Sequence, residues 1–284
     1  MLRDIIRCMA GHRLEKEYTS VKDVFACWED VANKIHTAAK AFLFFDLDGT
    51  LAPIAARPEM VALDARTKAS LGRISRNKKY VVGIISGRGI EDVRRLAGID
   101  GIIYAGNHGL EVKGPGIEYV HPAAIESRRL MEGLARTLAR GLREIAGASV
   151  EDKTYSLSVH YRLCAGDDAA RVKDAVDGAI APYRAKKQLR ATSGKKVLEI
   201  RPHADWNKGR VVEWIVGRCA PVARKGDVVW YIGDDLTDED AFKAVNAMGG
   251  ITVLAGGGNP LSEAEYVLAK REDMPALLSK LEAI

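Results

Sequence analysis

The stretch Phe42-Leu43-Phe44-Phe45-Asp46-Leu47-Asp48-Gly49-Thr50-Leu51 joins an apolar run of strand length to two acids and a glycine. A continuous apolar run is typical of a strand buried on both faces of a parallel sheet. Gly49 lets the backbone turn sharply after the second acid. Asp46 and Asp48 are therefore expected at the carboxyl end of a central strand, where open α/β sheets bind ligands. Their oxygen atoms favour Mg²⁺, although an Asp-x-Asp pair alone fits a solvated turn better.

Length and composition limit the classes of protein to consider. The 284 residues are 47% hydrophobic and 29% charged, which is typical of a soluble globular protein with one large or two smaller domains. The net charge of +5 is too small to indicate nucleic-acid binding but suits an anionic substrate. We expect no membrane helix, since no apolar run approaches roughly 20 residues, and no secretory signal. Four scattered cysteines favour reduced thiols in the cytoplasm over a disulfide framework or a zinc site.

Three further apolar runs are also followed by polar residues. Residues 80–85 lead into Ser86-Gly87-Arg88, residues 101–105 into Gly106-Asn107-His108-Gly109, and residues 228–233 into the acidic segment 234–240. A Ser-Gly turn before a helix leaves backbone N–H groups that can bind phosphate, although such dipeptides are also common in plain turns. The crowded acids of 234–240 repel one another, and a nearby cation would relieve this repulsion.

The segment ahead of the first strand has helical spacing. Apolar residues recur at positions 24, 28, 31 and 35 among charged ones, which predicts helix within residues 3–40. This helical extension, residues 1–40, could be a docking helix, an oligomer contact or a packed extension, and the sequence leaves these alternatives open. After the strand, Asp64 is placed to cap a helix over residues 65–77.

The pattern changes between residues 112 and 200. A long amphipathic helix over 123–145 precedes period-two alternation at 149–150 and 155–161. A second helix over 167–183 precedes a hairpin around Ser193-Gly194. Two helices on an antiparallel sheet indicate a separate α/β cap, inserted into a core of residues 41–111 and 201–284.

The strand ends of a parallel sheet converge on one edge. This edge is expected to collect carboxylates, a hydroxyl and a lysine, from Asp46, Asp48, Ser86, Lys208, Asp234 and Asp235. Phosphoryl transfer needs such groups, because its transition state spreads negative charge over the phosphoryl oxygens. One carboxylate can attack as nucleophile, and a second can protonate the leaving alcohol and later activate water.

This set of motifs resembles the haloacid-dehalogenase-like phosphatases. The matching segments are Asp46-Leu47-Asp48-Gly49-Thr50, Ser86, Lys208 and Gly233-Asp234-Asp235, in this order. The resemblance implies a Rossmann-like core with an α/β cap and an Mg²⁺ cofactor. It also implies that Asp46 is the nucleophile and that Asp48 is the general acid/base, with its backbone carbonyl on Mg²⁺. The remaining implied roles are metal ligation by the side chains of Asp46 and Asp234, phosphoryl binding by Ser86 and Lys208, and outer or water-bridged ligation by Asp235 and Asp238.

Within that superfamily the chain is more similar to trehalose-6-phosphate phosphatases, over about residues 40–282. The stretches that carry this likeness are 46–54, 86–88, 106–109, 194–202, 207–209 and 233–239. The resemblance implies sugar contacts from Asn107, His108, Lys195 and Glu199. Further candidate substrate contacts are Thr50, Gly87, Arg88 and, as a weaker candidate from the cap strand, Arg162. Arg88 could equally clamp a nearby carboxylate, and Lys195 could be a charge that keeps the hairpin soluble.

The resemblance implies hydrolysis of trehalose 6-phosphate. Alternatives are a phosphatase for sucrose 6-phosphate or for glucosyl- or mannosylglycerate phosphate, a hexose-phosphate mutase, and a non-catalytic sugar-phosphate sensor. The expected partner is a small sugar phosphate, with no nucleic acid and no membrane. A trehalose-phosphate synthase, or a second copy bound through the N-terminal helices, is a further candidate partner.

Overall fold

The computed structural model describes residues 21–55, 58–220, 226–257 and 261–284. The helices in these ranges are α1 (Trp28–Thr37), α2 (Ala65–Ile74), α3 (Ile90–Ala97), α4 (Pro122–Gly141), α5 (Asp168–Ala185), α6 (Lys208–Cys219), α7 (Glu239–Ala247) and α8 (Met274–Glu282). The strands are β1 (Lys22–Asp23), β2 (Ala41–Phe45), β3 (Tyr80–Ile85), β4 (Ile103–Gly106), β5 (Glu111–Gly114), β6 (Ile117–Val120), β7 (Ser149–Asp152), β8 (Leu157–His160), β9 (Leu189–Ser193), β10 (Val197–Pro202), β11 (Val228–Gly233), β12 (Ile251–Ala255) and β13 (Tyr266–Leu268).

A large, mostly parallel sheet forms the core, with strand order β1-β13-β12-β11-β2-β3-β4-β5-β6. Every residue of β2 is buried. Leu43 and Phe45 share an apolar cluster with α1, α2, α3 and α8, whereas Phe42 and Phe44 pack with α6 and α7 on the other face. The predicted strand with two buried faces is therefore confirmed, and helices cover both sides of the sheet.

The strand order explains why the polar residues meet. Strands β11, β2, β3 and β4 are consecutive neighbours and run parallel. Their carboxyl ends lead directly into Asp234, Asp46, Ser86 and Asn107, in that order across the sheet. Side chains from distant parts of the sequence thus lie along one edge of the core.

A second, antiparallel sheet has strand order β7-β8-β10-β9. Side chains of α4 and α5 form one apolar cluster with its inward-facing residues, among them Leu157, Val159, Leu198 and Ile200. This is the predicted arrangement of two helices on an antiparallel sheet, and the α/β fold class is confirmed. Strands β5 and β6 pair with the large sheet through β4, so residues 112–120 extend the core sheet. We propose that the cap begins near Pro122 instead of residue 112.

The N-terminal segment differs from its prediction as a helical extension. Strand β1 lies parallel to β13, and the helix begins only at Trp28. Val31 and Ile35 are buried in the core cluster, so α1 packs as part of the core. The prediction for residues 3–20 lies outside the described residues.

The predicted N-cap of helix α2 is confirmed, because the Asp64 side chain accepts hydrogen bonds from the backbone N–H groups of Arg66 and Thr67. In the described ranges, no helix combines the length and apolar character needed to cross a membrane.

Candidate active site

Asp46 and Lys208 form the centre of the polar edge. Asp46 follows β2 directly and is 4% exposed, and its backbone N–H bonds to Ile232 on β11. Lys208 opens α6 behind its N-cap residue Asn207. The Lys208 Nζ donates to Asp46 Oδ1 at 2.7 Å, although 162 residues separate the two in sequence. The predicted meeting of the first acid with this lysine is present in the structure.

Asp238 is the hub of the acidic segment. Its Oδ1 accepts from Lys208 Nζ at 2.7 Å and from the Tyr231 hydroxyl at 2.6 Å. Its Oδ2 accepts the backbone N–H groups of Asp234 and Asp235, both at 3.1 Å. Asp238 therefore fixes the lysine and the loop after β11 together. We did not single out Tyr231 from the sequence, since in its apolar run it signalled only burial.

Burial and mutual repulsion set the charges of these acids. Burial raises the pKa of Asp46 well above its usual range, and Lys208 only partly opposes this effect. Burial and the nearby Asp238 and Asp235 raise the pKa of Asp234 to about 7. Asp235 is also buried, but Lys208 and hydrogen bonds from Thr237 outweigh that effect and lower its pKa to about 2. Lys208 loses hydration on burial, yet Asp238 and Asp46 raise its pKa well above the usual value and keep it charged.

The acids of this edge fit a divalent cation. Carboxylate oxygens of Asp46, Asp234 and Asp238 lie within 4.8 Å of one another, and a donor set made only of oxygens suits Mg²⁺. Because four donors already occupy Asp238, Asp46 and Asp234 are the side chains that would hold the ion. Gly49 permits their approach, because it has φ +91° and a Cβ there would lie 2.2 Å from Asp234 Oδ2.

Asp48 faces Arg88 and is not in that cluster of three acids. Arg88 Nε donates to Asp48 Oδ2 at 2.7 Å and Nη2 donates to Oδ1 at 2.8 Å, while Nη1 donates to Asp92 at 2.6 Å. The structure thus shows Arg88 as a clamp on two carboxylates, the alternative to its predicted substrate contact. The Asp48 side chain stays 33% exposed, so it remains open to solvent beside the site. Ser86 Oγ is buried and accepts the backbone N–H of Arg88 at 3.2 Å.

Glu199 of the cap lies against the core loop that follows β4. His108 Nε2 is 2.6 Å from Glu199 Oε2, and Lys153 Nζ is 3.2 Å from Glu199 Oε1. Lys153 also donates to the backbone carbonyl of Gly87 at 2.9 Å. We missed Lys153, because its position in a cap turn has no distinctive local pattern. The pKa of His108 is lowered, chiefly by burial, although Glu199 opposes the shift.

Asn107 uses its side chain on the protein itself. Its Nδ2 donates to Glu111 at 2.6 Å and to the backbone carbonyl of Lys153 at 3.0 Å, while its Oδ1 accepts from the Ser156 hydroxyl. Asn107 and His108 have φ values of +52° and +56°. Such left-handed conformations are strained for residues other than glycine and are concentrated at functional sites. In this arrangement Asn107 ties the core loop to the cap and does not face an open cavity.

The other predicted substrate residues, Arg162, Lys195, Thr50 and Gly87, differ in their contacts and in their exposure. Arg162 donates to the backbone carbonyls of Ala55 and Lys195, both at 2.9 Å, and so links the cap to the loop after β2. The Lys195 side chain is 68% exposed, and its Nζ lies 3.7 Å from Asp234 Oδ2. Thr50 is fully buried, and within the described residues its hydroxyl has no hydrogen-bond partner. Gly87 lies against the His108 ring, where a Cβ would be 2.7 Å from Nε2.

The substitution Glu199→Gln should lower the free energy of unfolding by about 2 kcal/mol at pH 7, since the Lys153 ammonium group and the buried His108 ring lose a carboxylate partner. Burial disfavours the Glu199 carboxylate, but His108 and Lys153 hold its pKa well below the usual 4.5. The folded state therefore binds fewer protons than the unfolded state. The stabilisation is complete above pH 4.5 and is lost as pH falls through the folded-state pKa.

Thermal melts from pH 7 to pH 3 should show a higher melting temperature for wild type than for Glu199→Gln, and this gap in melting temperature should close as the pH falls below about 4.5. The exposed Glu144 supplies the control, and Glu144→Gln should show almost no gap. A gap that is constant over this range would contradict the charged interaction.

Known proteins are similar to this chain over most of its length. The trehalose-phosphatase family model matches residues 44–268. An uncharacterized glycosyl hydrolase of Mycobacterium tuberculosis is 40% identical over 227 residues, which cover 78% of this chain and only 16% of that relative. The probable trehalose-phosphate phosphatase 4 of Oryza sativa is 32% identical over 295 residues, covering 98% of this chain and 78% of that relative.

A solved structure shares the fold. The C-terminal domain of the Candida albicans trehalose-6-phosphate phosphatase superposes with a TM-score of 0.77 at 22% identity, covering 90% of this chain and 96% of that one. At this identity the likeness concerns the fold alone. The match of the family model over most of the chain and the rice relative show that this chain belongs to the trehalose-phosphatase family.

Proposed function

We propose that this protein is an Mg²⁺-dependent phosphatase that converts trehalose 6-phosphate to trehalose and phosphate through an aspartyl-phosphate on Asp46. The observation that carries the proposal is the buried Asp46 carboxylate, held by Lys208 at 2.7 Å beside Asp234 and Asp238. This reaction needs an attacking carboxylate, a positively charged side chain fixed beside it, and two acids that can ligate the metal.

In the first step, an Asp46 oxygen attacks the phosphorus, and the bond from phosphorus to the sugar oxygen breaks. Asp48 gives the leaving oxygen its proton. In the second step, Asp48 takes a proton from water as the water oxygen attacks the phosphorus, and the bond to Asp46 breaks. Lys208 and Ser86 hold the phosphoryl oxygens in both steps. When bound, Mg²⁺ would neutralise Asp46 and Asp234 and stabilise negative charge on the phosphoryl group.

The cap supplies the polar surface that a sugar needs. Leu198 and Ile200 of β10 are buried in the apolar cluster of the cap, so the alternate residue Glu199 lies on the opposite face. That face meets the core at His108 and Lys153. A carboxylate, an imidazole and an ammonium group can together accept and donate the hydrogen bonds of several hydroxyl groups. Glu199, His108, Lys195 and Arg162 are the residues we propose for the sugar.

Substrate identity can be tested by phosphate release from a panel of sugar phosphates. We expect kcat/KM for trehalose 6-phosphate to exceed that for sucrose 6-phosphate and for glucosyl- or mannosylglycerate phosphate by at least about tenfold. Equal values would remove the trehalose assignment and leave a general sugar phosphatase. Transfer of the phosphoryl group to a second hydroxyl would identify a mutase, and binding with no release would identify a sensor.

Removing divalent cations with a chelator should lower turnover by at least about tenfold, and Mg²⁺ should restore it. Ca²⁺ should restore it poorly, because its larger and looser shell lets a carboxylate bind through both oxygens. Asp46 would then have no oxygen free to attack. Phosphate release is measured in chelator alone and with each ion added back. Equal turnover in Ca²⁺ and Mg²⁺ would contradict this arrangement.

Location and partners stay predictions. The cysteine pattern favours the cytoplasm. A trehalose-phosphate synthase, or a second copy bound through the N-terminal extension of residues 1–40, stays a candidate partner, and residues 1–20 of that extension lie outside the described ranges.

A further inference from the structure

The chain passes between the core and the cap twice. The first crossing lies between β6 and α4, at residues 120–122, and the second lies between β10 and α6, at residues 202–207. The cap can move relative to the core only through these two short segments. Side chains that join them therefore contribute to how the cap sits over the site, beside direct cap–core contacts such as that of Glu199 with His108.

Four aromatic side chains join the crossings, and we call them the crossing cluster: Tyr119, His121, Trp206 and Trp214. The ring of His121, on the first crossing, lies 4.9 Å from that of Trp206 on the second. Tyr119 contacts Trp206 at 5.8 Å and stacks on Trp214 of α6 at 4.4 Å. Aromatic pairs at these separations attract each other, so the crossing cluster holds the two segments side by side.

Trp206 also makes polar contacts on both sides of the crossing. Its indole Nε1 donates to the backbone carbonyl of Gly109 at 2.8 Å. Its own carbonyl accepts from Arg190 of cap strand β9 at 2.9 Å. Trp206 is thus hydrogen-bonded both to the core, at Gly109, and to the cap, at Arg190.

Gly109 closes the turn that carries His108. Three consecutive residues there, Asn107 to Gly109, have positive φ values. The turn also packs tightly on α6, since a Cβ at Gly109 would lie 2.5 Å from the Val211 side chain. A backbone that must hold this unusual conformation depends on its external contacts. The hydrogen bond from Trp206 is such a contact, one residue away from His108.

We propose that Trp206 is a positioning residue that holds the His108 turn in register with the cap, so that His108 and Glu199 meet the sugar together. This inference rests on the proposed function, because it assigns Trp206 an effect on sugar recognition. Trp206 acts through Gly109 and His108 and touches neither the phosphoryl centre nor Asp46 in this arrangement. Its loss should therefore weaken sugar binding and leave phosphoryl transfer intact.

The variant Trp206→Phe keeps an aromatic ring and removes the N–H group. We expect KM for trehalose 6-phosphate to rise about three- to tenfold, the effect of one lost hydrogen bond, with kcat within about twofold. Both constants for p-nitrophenyl phosphate, which has no sugar, should stay within about twofold of wild type. In the double variant Trp206→Phe, His108→Ala, the first substitution should add little to the second.

Trp214→Phe is the matched control, because it changes another ring of the crossing cluster and should not raise KM for the sugar substrate. Melting temperatures of both variants establish that they fold. An unchanged KM in Trp206→Phe, equal shifts for both substrates, or the same shift in Trp214→Phe would overturn the inference alone. A wild type that hydrolyses p-nitrophenyl phosphate but not trehalose 6-phosphate would overturn the proposed function and this inference together.

Discussion

Asp46→Asn should lower the turnover of trehalose 6-phosphate by at least about 10⁴-fold while the protein keeps its fold. The amide has nearly the shape of the carboxylate and can still accept the hydrogen bond from Lys208 through its oxygen. It cannot form the acyl phosphate, because its nitrogen and its neutral oxygen are far weaker nucleophiles. The expected loss therefore concerns the chemical step and not the packing.

Stability should change little in this variant. Burial and the neighbouring Asp238 and Asp234 disfavour the ionised form of Asp46, so a neutral amide relieves repulsion while it weakens the pairing with Lys208. The two effects oppose each other, and the melting temperature should shift by only a few degrees.

The exposed acid Asp205 provides the matched control. Its side chain is 88% exposed, and Asp205→Asn should keep turnover within about twofold of wild type. Phosphate release under saturating Mg²⁺ is the measurement for both variants. If Asp46→Asn retained more than about one tenth of wild-type turnover, the covalent mechanism would be wrong.

The core of the fold follows from local patterns. The run Phe42–Phe45 is apolar on both faces because helices cover both sides of β2. A strand of this kind must lie inside a parallel sheet, and its carboxyl end must then lie beside those of its neighbours. The meeting of Asp46 with Asp234 follows from this rule and could be predicted without coordinates. Lys208 opens α6 after a strand of the second sheet, so the rule does not place it. The second, antiparallel sheet with its two helices could also be predicted, from the change between helical and period-two spacing.

The partners of individual side chains could not be predicted in this way. A guanidinium group can bind a phosphoryl group or a carboxylate equally well, and the position of Arg88 in the sequence does not distinguish the two. The structure brings Asp92, in the first turn of α3, to the same guanidinium, which favours the clamp. Lys153 likewise meets Glu199 only because the cap turn lies over the loop after β4. Such pairings depend on how distant elements approach each other, and local periodicity carries no information about that approach.

Strands β5 and β6 show a similar limit. From residue 112 on, both strands lie in the stretch that was predicted to belong to the cap, because the sequence pattern changes there. They pair instead with β4 and extend the core sheet. Antiparallel strands joined by tight turns look alike in sequence whether they extend one sheet or begin another. The aromatic residue Tyr119 on β6, which packs on Trp214 of α6, identifies the sheet only after the fold is known.

Lys208→Met should destabilise the protein by about 3 kcal/mol in the absence of divalent cations. Lys208 is 3% exposed, and its ammonium group lies 2.7 Å from carboxylate oxygens of both Asp46 and Asp238. Methionine fills a similar volume without the charge. The two buried acids would then lack their compensating cation and would be ionised in a poorly hydrated site. Protonation of Asp46, whose pKa is already raised, should absorb part of this cost.

Turnover should fall by about 10³-fold in the same variant, since a fixed positive charge no longer stabilises the phosphoryl oxygens in the transition state. Stability and activity should respond differently to Mg²⁺. An ion held by Asp46 and Asp234 would stabilise the folded state by an amount that grows with the logarithm of the ion concentration above its Kd, and should recover part of the lost free energy of unfolding. It should not recover turnover, because an ion held by Asp46 and Asp234 would not take the place of the Lys208 ammonium group between Asp46 and Asp238.

Denaturant unfolding with chelator and with Mg²⁺, beside phosphate release, separates the two effects. Lys243→Met, at an exposed position on α7, controls for the loss of one lysine and should leave both measurements near wild type. A Lys208→Met protein that is as stable as wild type in chelator would mean that Asp46 and Asp238 do not need the ammonium group. Recovery of turnover by Mg²⁺ would mean that the metal can replace the lysine in the transition state. Either result would require another source for the charge balance at the carboxyl end of β2.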